Sequence, residues 1–186
     1  MGIFQGAFKV ITKPKLNPIT LDEAKDALRV YNFNDDDSRI LGLIKTSTAH
    51  AENFSSLSLM EQTVERYYDR WPSYNFSPDV WPLQSIDTIA YYDTQSPSTE
   101  QTLIENIDYY TDVNTIGGRI ITIAGWPSVA IKPNAIRVRM TAGYATQEEV
   151  PDEIKEAIKV CIIRLYHGEK EWEDVFEDLL WHDRVF

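Results

Sequence analysis

Polar and apolar positions change period twice along this chain. Leu21, Ala24 and Leu28 fall on one face of a helical repeat. Just before them, Thr20 followed three residues later by Glu23 is a capping box, in which each side chain satisfies a backbone N–H at the helix start. Ile40, Leu41, Ile44, Thr48 and Ala51 form a second stripe at helical spacing, with Asn34 or one of Asp35, Asp36 and Asp37 as its cap. A connection as short as "NFND" predicts an antiparallel helix pair. From about Met60 the period falls to two. The segments "TVERYYDRW", "SIDTIAYYD", "DYYTDV", "RIITIAG" and "AIRVRMTAGY" are rich in Tyr, Ile and Val and separated by Pro, Gly, Ser and Asn. They predict four to six antiparallel strands, with Phe8–Thr12 as a further short one. The alternation is clearest where Ile136, Val138 and Met140 interleave with Arg137, Arg139 and Thr141. After Pro151, placed at the first helical position where its missing N–H costs nothing, the helical period returns. Its stripe is Ile154, Ala157, Ile158, Cys161, Ile162 and Leu165, and Gly168 ends it.

This order predicts an α+β fold. Two N-terminal helices (about 20–55) and one long C-terminal helix (151–168) form a small helical core, and an antiparallel β-rich insertion (about 60–145) interrupts it. Residues 1–168 are expected to make one domain and 169–186 a C-terminal tail. The tail carries an amphipathic pattern at Trp172, Val175, Phe176, Leu179 and Leu180, followed by Trp181 and Phe186. Such a segment either packs back on its own core or docks on a partner, and its Trp and Phe residues favour docking.

A length of 186 residues suits one domain and buries roughly 70% of the unfolded surface, so neither metal nor disulfide is needed to fold it. Cys161 is the single cysteine, which excludes an internal disulfide and any paired-cysteine zinc site. No apolar run approaches the length of a membrane span, and the N-terminus lacks the basic-then-apolar order of a signal peptide. A soluble protein made in a cytoplasm is expected. Net charge of −11, from 29 acids against 18 bases, argues against broad nucleic-acid binding, which needs lysine and arginine over the phosphates.

Candidate chemistry is sparse. Asp35-Asp36-Asp37 lacks the glycine and terminal glutamate of a calcium loop and reads as helix capping. His50, His167 and His182 have no metal-ligand spacing, and Cys161 sits on an apolar stripe where a thiol acts as a small hydrophobe. No phosphate-cradling or nucleophile-elbow glycine motif occurs, so no catalytic, cofactor or metal residue is assigned. Tyr67, Tyr68, Trp71, Tyr74, Phe76, Trp81, Tyr91 and Tyr92 crowd one region. They suit sheet packing, but also a carbohydrate platform or a protein interface. A glycan- or protein-binding module therefore stays open, as does a hydrolase built on a carboxylate pair.

The segments "NPITLDEAKDALRV", "DDDSRILGLIKTSTAHAE", "WPLQSIDTIAYYD" and "AIRVRMTAGYATQEEVPDEIKEAI", in this order, resemble the head–tail connector (adaptor) proteins of long-tailed bacteriophages and prophages. The likeness covers about residues 10–168. Its specific parts are the opening "PITLDEAK" and the closing "TAGY" followed by "VPDEIKEAI". It implies a non-enzymatic virion protein whose copies assemble as a dodecameric ring below the portal, extending the DNA channel toward the tail. Implied partners are the portal protein, other copies of the chain and the next tail-side connector or tail-completion protein. DNA would only pass through, and no membrane or cofactor is involved. The protein would be made in the host bacterial cytoplasm and reside at the head–tail interface of the virion. The family's tail segment is where portal contact is expected, which would assign that role to Trp172, Val175, Phe176, Leu179, Leu180, Trp181 and Phe186. Two departures stand out: "AENFSS" replaces the "TGR"-like turn common in the family, and the aromatic, acidic C-terminal extension has no residue-by-residue match.

Overall fold

The computed structural model describes residues 7–31, 34–115 and 117–169. Among these, three α-helices and eight strands are found, an α+β fold with antiparallel sheets. The chain forms two compact units, one from Met1–Lys13 and Gln62–Gly143, the other from Pro14–Glu61 and Tyr144–Phe186.

The first unit is built around a five-stranded antiparallel sheet in the order β1 (Phe8–Thr12), β2 (Gln62–Tyr68), β8 (Ile136–Ala142), β4 (Leu83–Tyr92), β5 (Glu100–Leu103). A three-stranded sheet has the order β3 (Asn75–Phe76), β7 (Arg119–Thr122), β6 (Tyr109–Asp112). Strand β1 comes from the N-terminal segment, so the large sheet draws on chain from both sides of the first two helices. Strands β3 and β5 exceed the sequence expectation, because Asn75–Phe76 is two residues long and "EQTL" lacks the β-branched and aromatic signal.

Strand β8 lies at the centre, paired with β2 and β4. Its alternation is complete: Ile136, Val138, Met140 and Ala142 are fully buried, while Arg137, Arg139 and Thr141 are half-buried on the other face. Val64, Ile86, Ile89 and Ile120 join the core. Several of the crowded aromatics are structural. Tyr68 and Phe76 are buried and meet edge to face at 5.6 Å. Trp71 stacks on Trp126 with ring centroids 4.4 Å apart. The indole N–H of Trp71 donates to the Pro127 carbonyl at 2.8 Å, and that of Trp126 to the Ser73 carbonyl at 2.8 Å. Indoles packed against a core need such partners, and both of these half-buried rings are engaged by backbone within the unit.

The second unit holds α1 (Leu21–Leu28), α2 (Asp37–Ser55) and α3 (Asp152–His167). The capping box is present: the Glu23 N–H donates to the Thr20 hydroxyl at 3.1 Å, and the Thr20 N–H donates back to the Glu23 carboxylate. Ile154, Ala157, Ile158, Cys161 and Ile162 of α3 are fully buried, and a left-handed Gly168 ends that helix.

Three local expectations are corrected. Asp36 stands at the N-cap of α2, as expected, with Asp37 in the first turn, but the Asp36 side chain makes no capping hydrogen bond. Asn34 and these acids are used laterally instead: Lys25 Nζ, on a buried residue of α1, donates to Asn34 Oδ1 at 2.7 Å and Asp37 Oδ1 at 2.8 Å. The Tyr166 hydroxyl donates to Asp36 Oδ2 at 2.6 Å. That bond to a carboxylate holds the phenol above its ordinary pKa. The acids thus tie α2 to α1 and α3, where a buried lysine requires a charged partner. Pro151 lies one position before α3 in an extended conformation, its carbonyl accepting from Ile154 and Lys155. Leu41 is exposed at 37%, because the buried stripe of α2 runs through Ile40, Ile44, Ser47, Ala51 and Ser55. Two serines complete it, and Ser55 satisfies its hydroxyl on the Ala51 carbonyl.

The turn before β7 requires glycine. Gly118 has φ +66°, and a Cβ there would run into Leu83 Cδ2 and stand 3.3 Å from Leu83 Cβ and Cγ. Gly118→Ala should lower stability by about 1–3 kcal/mol, from left-handed strain and a displaced core leucine. Urea unfolding measures this, and an unchanged midpoint would show that the turn tolerates a side chain.

Candidate functional site

The polar face of the five-stranded sheet carries a cluster of charged groups drawn from β2, β8 and β5. Register places Glu65 of β2 opposite Arg139 of β8, and Tyr67 opposite Arg137. Side chains opposite one another in a sheet are close enough to pair. Arg139 grips Glu65 Oε1 with Nε at 2.8 Å and Nη2 at 2.6 Å. Arg137 Nη1 stands 3.7 Å from the same oxygen, while its Nη2 reaches Glu100 of β5 at 3.1 Å. The Tyr67 hydroxyl donates to Glu65 Oε2. On β8 the row continues with Thr141, whose hydroxyl donates to Asp87 Oδ2 at 3.0 Å. Lys9 of β1 pairs across from Glu65 on the other side.

Glu65 lies on the polar face, yet only 3% of its side chain is exposed, because the arginines and Tyr67 cover it. Burial pushes its carboxyl upward. The hydrogen bond from Tyr67 and then the contacts with Arg139 and Arg137 outweigh burial, leaving the pKa below the usual glutamate range. The same hydrogen bond pushes the Tyr67 phenol up. An ionised acid with both oxygens occupied cannot lend itself as general acid or base, since each role needs a free lone pair or a proton near neutral pH. The cluster acts as a latch that ties β2, β8 and β5 together across one face of the sheet.

In the second unit, burial raises the Glu52 carboxyl above the usual glutamate range, but its Oε1 accepts the Leu59 N–H at 2.9 Å and serves the chain leaving α2. A shallow surface cleft of this unit is lined by Glu23, Asp26, Ala27, Glu156 and Lys159. Glu23 is committed to the Thr20 cap, and Lys159 to Glu156 at 2.8 Å. Burial pushes the Cys161 thiol up, which makes it a poor nucleophile. Among the described residues, no group of three or more His, Cys, Asp or Glu is placed to hold a metal ion, and no helix is long and apolar enough to cross a membrane.

Exposed apolar side chains are more telling than the acids. Phe8, Val10 and Ile11 are exposed on β1, and Ile104 and Ile107 just beyond β5. The aromatic region forms no single platform: Tyr74 is exposed at 56%, while Tyr68 and Phe76 are core. Glu65 leaves little trace in the sequence. Its signal is a lone acid inside "TVERYY", meaningful only once "IRVRM" is known to lie beside it. The tail residues singled out from sequence, Trp172, Val175, Phe176, Leu179, Leu180, Trp181 and Phe186, lie outside the described residues.

Glu65→Gln should cost about 1.5–3 kcal/mol at neutral pH, the scale of losing hydrogen bonds to a charged group. Because the folded-state pKa of Glu65 is depressed, its contribution is fully present above the unfolded value of about 4.3 and is lost as pH falls through the folded value. The stability gap between wild type and Glu65→Gln should therefore narrow below about pH 4. Thermal unfolding of both proteins across that range measures it. A gap that stays constant or widens in acid would show that the carboxylate charge is not what stabilises the sheet.

No protein-family model matches this chain, and no curated protein matches it significantly. Solved structures do. A chain from the neck of an empty GTA particle computed with C6 symmetry shares the fold at TM-score 0.77 and 14% identity, over 97% of this chain and 96% of that one. A chain from the virion of a native gene transfer agent (GTA) particle aligns at TM-score 0.75 and 13% identity, over 96% and 95%. One from the neck of a native GTA particle computed with C12 symmetry aligns at 0.72 and 12%, over 97% and 96%. This chain shares the fold of those chains over 96–97% of its length.

Proposed function

We propose that this protein is a structural subunit of the neck of a phage-like virion. In this reading it is a head–tail adaptor whose copies form a ring below the portal, extend the DNA channel and present the platform for the next tail-side connector or tail-completion protein. The observation that carries the reading is the near-complete fold likeness to chains of neck particles, two of them computed with C6 and C12 symmetry. The opening "PITLDEAK" and the closing "TAGY" with "VPDEIKEAI" point the same way from sequence. A dodecamer fits both symmetries, since a twelvefold ring contains a sixfold axis.

The role is mechanical. The most saturated acid of the sheet is locked in ion pairs and hydrogen bonds and is used to hold strands together. A net charge of −11 suits a channel wall that must let DNA slide past without gripping its phosphates. Residues 170–186, with Trp172, Val175, Phe176, Leu179, Leu180, Trp181 and Phe186, are assigned the portal contact, in keeping with large apolar and aromatic anchors at interface centres. The chain is made in the host bacterial cytoplasm and ends in the virion.

Mixing purified protein with the portal protein of its own particle should give portal-bound rings by negative-stain electron microscopy. Deleting residues 170–186 should leave a folded protein, by circular dichroism, that no longer binds the portal. Free monomers with the full-length chain would refute the adaptor role. Unfolding on deletion, or unchanged portal binding, would refute the assignment of the tail.

A further inference from the structure

Among the described residues the five-stranded sheet ends in two open edges, and their chemistry is opposite. All five residues of β1 are exposed, among them Lys9 with Phe8, Val10 and Ile11. No acid precedes Asp22 in the sequence, so in a chain of net charge −11 this edge is locally basic, with Lys9 and Lys13. At the other edge β5 exposes Glu100, Gln101 and Thr102, and Glu105 and the exposed Ile104 and Ile107 follow. Open strand edges carry unpaired backbone groups and are templates for a further strand.

Charge also alternates across one face of this sheet. Lys9 on β1 pairs across from Glu65 on β2, Glu65 is held by Arg139 and Arg137 of β8, and Arg137 reaches Glu100 on β5. Register therefore puts Lys9 and Glu100 on the same face, at opposite ends of a row that begins positive and ends negative. A second copy placed with its β1 beside β5 continues that row, setting Lys9 of one copy next to Glu100 of another. Strand directions agree with this. Each of the four pairings in the sheet is antiparallel, so β1 and β5 run the same way and would meet as a parallel pair. Parallel neighbours within one chain need a long crossover, but strands from separate copies do not.

We infer that copies of this chain associate head to tail through the β1 edge of one and the β5 edge of the next, with Lys9 facing Glu100. Such a contact uses two different surfaces of each copy and therefore propagates, closing into a ring when the rotation permits. This rests on the ring reading above and supplies its contact. The backbone of β5 is arranged for it. The Asp93 N–H donates to the Thr99 carbonyl, and alternation from that pair turns the N–H groups of Glu100 and Thr102 away from β4.

Charge exchange tests the contact. Lys9→Glu and Glu100→Lys should each weaken self-association by about tenfold, as an attractive pair becomes repulsive. Mixed one to one, the two variants should regain wild-type assembly, because every contact then pairs a lysine with a glutamate. Thr102→Pro should keep the fold, proline being tolerated where an edge N–H faces outward, and should abolish assembly. Sedimentation and negative-stain microscopy, with and without portal, read the outcome, and circular dichroism checks each fold. If wild type forms rings and all three variants form them equally well, the β1–β5 contact is wrong while the ring reading stands. If folded single variants are weakened but their mixture is not restored, Lys9 and Glu100 do not face each other. If wild type forms no ring under either condition, the ring reading fails and takes this contact with it.

Discussion

Strand β8 has to satisfy two incompatible surroundings at once, and the first unit depends on its doing so. One face presents Ile136, Val138, Met140 and Ala142 to a fully buried core. The other presents Arg137 and Arg139, which converge on the Glu65 carboxylate beneath them. A slip of one residue against β2 or β4 would bury two guanidiniums and expose four core side chains. Hydrophobic burial supplies most of the stability, but it is non-directional. The Glu65 cluster, held by charge-assisted hydrogen bonds of defined geometry, singles out one register. The open edges of β1 and β5, and the row of charge between them, follow from that register.

Features carried by neighbouring residues could be read from sequence. The Thr20–Glu23 box, the alternation from Ile136 to Thr141, the stripe from Ile154 to Ile162 and the glycine stop at Gly168 all depend on spacing within a few residues. What escaped was non-local. Asp36 and Asp37 looked like caps because acids favour helix starts, but a buried Lys25 and the Tyr166 hydroxyl compete for them across helices. Leu41 was placed in the core by hydropathy, although Ser47 and Ser55 occupy the buried line. Strand β5 exists because β4 offers it a partner, not because "EQTL" prefers an extended backbone. Glu65 needed the pairing of segments more than seventy positions apart before its role was visible.

Among the described residues, the side chains with the most reactive chemistry are engaged in packing and pairing. The buried acid is saturated, the cysteine is inert in an apolar stripe, and the tryptophan N–H groups of Trp71 and Trp126 are bonded to backbone. Surfaces left over are edges and exposed apolar side chains, the material of assembly. That agrees with a fold shared over almost the whole chain with components of gene transfer agent particles at only 12–14% identity. Conserving a shape while nearly every side chain changes is characteristic of folds, where function lies in the surfaces grafted on them.

Cryo-electron microscopy of the phage-like particle proposed to contain this chain tests its placement most directly. The prediction is an annular density in the neck, directly below the portal, into which copies of both units fit around a closed symmetry axis. A neck ring formed by another protein, with this chain absent or located elsewhere in the particle, would contradict it.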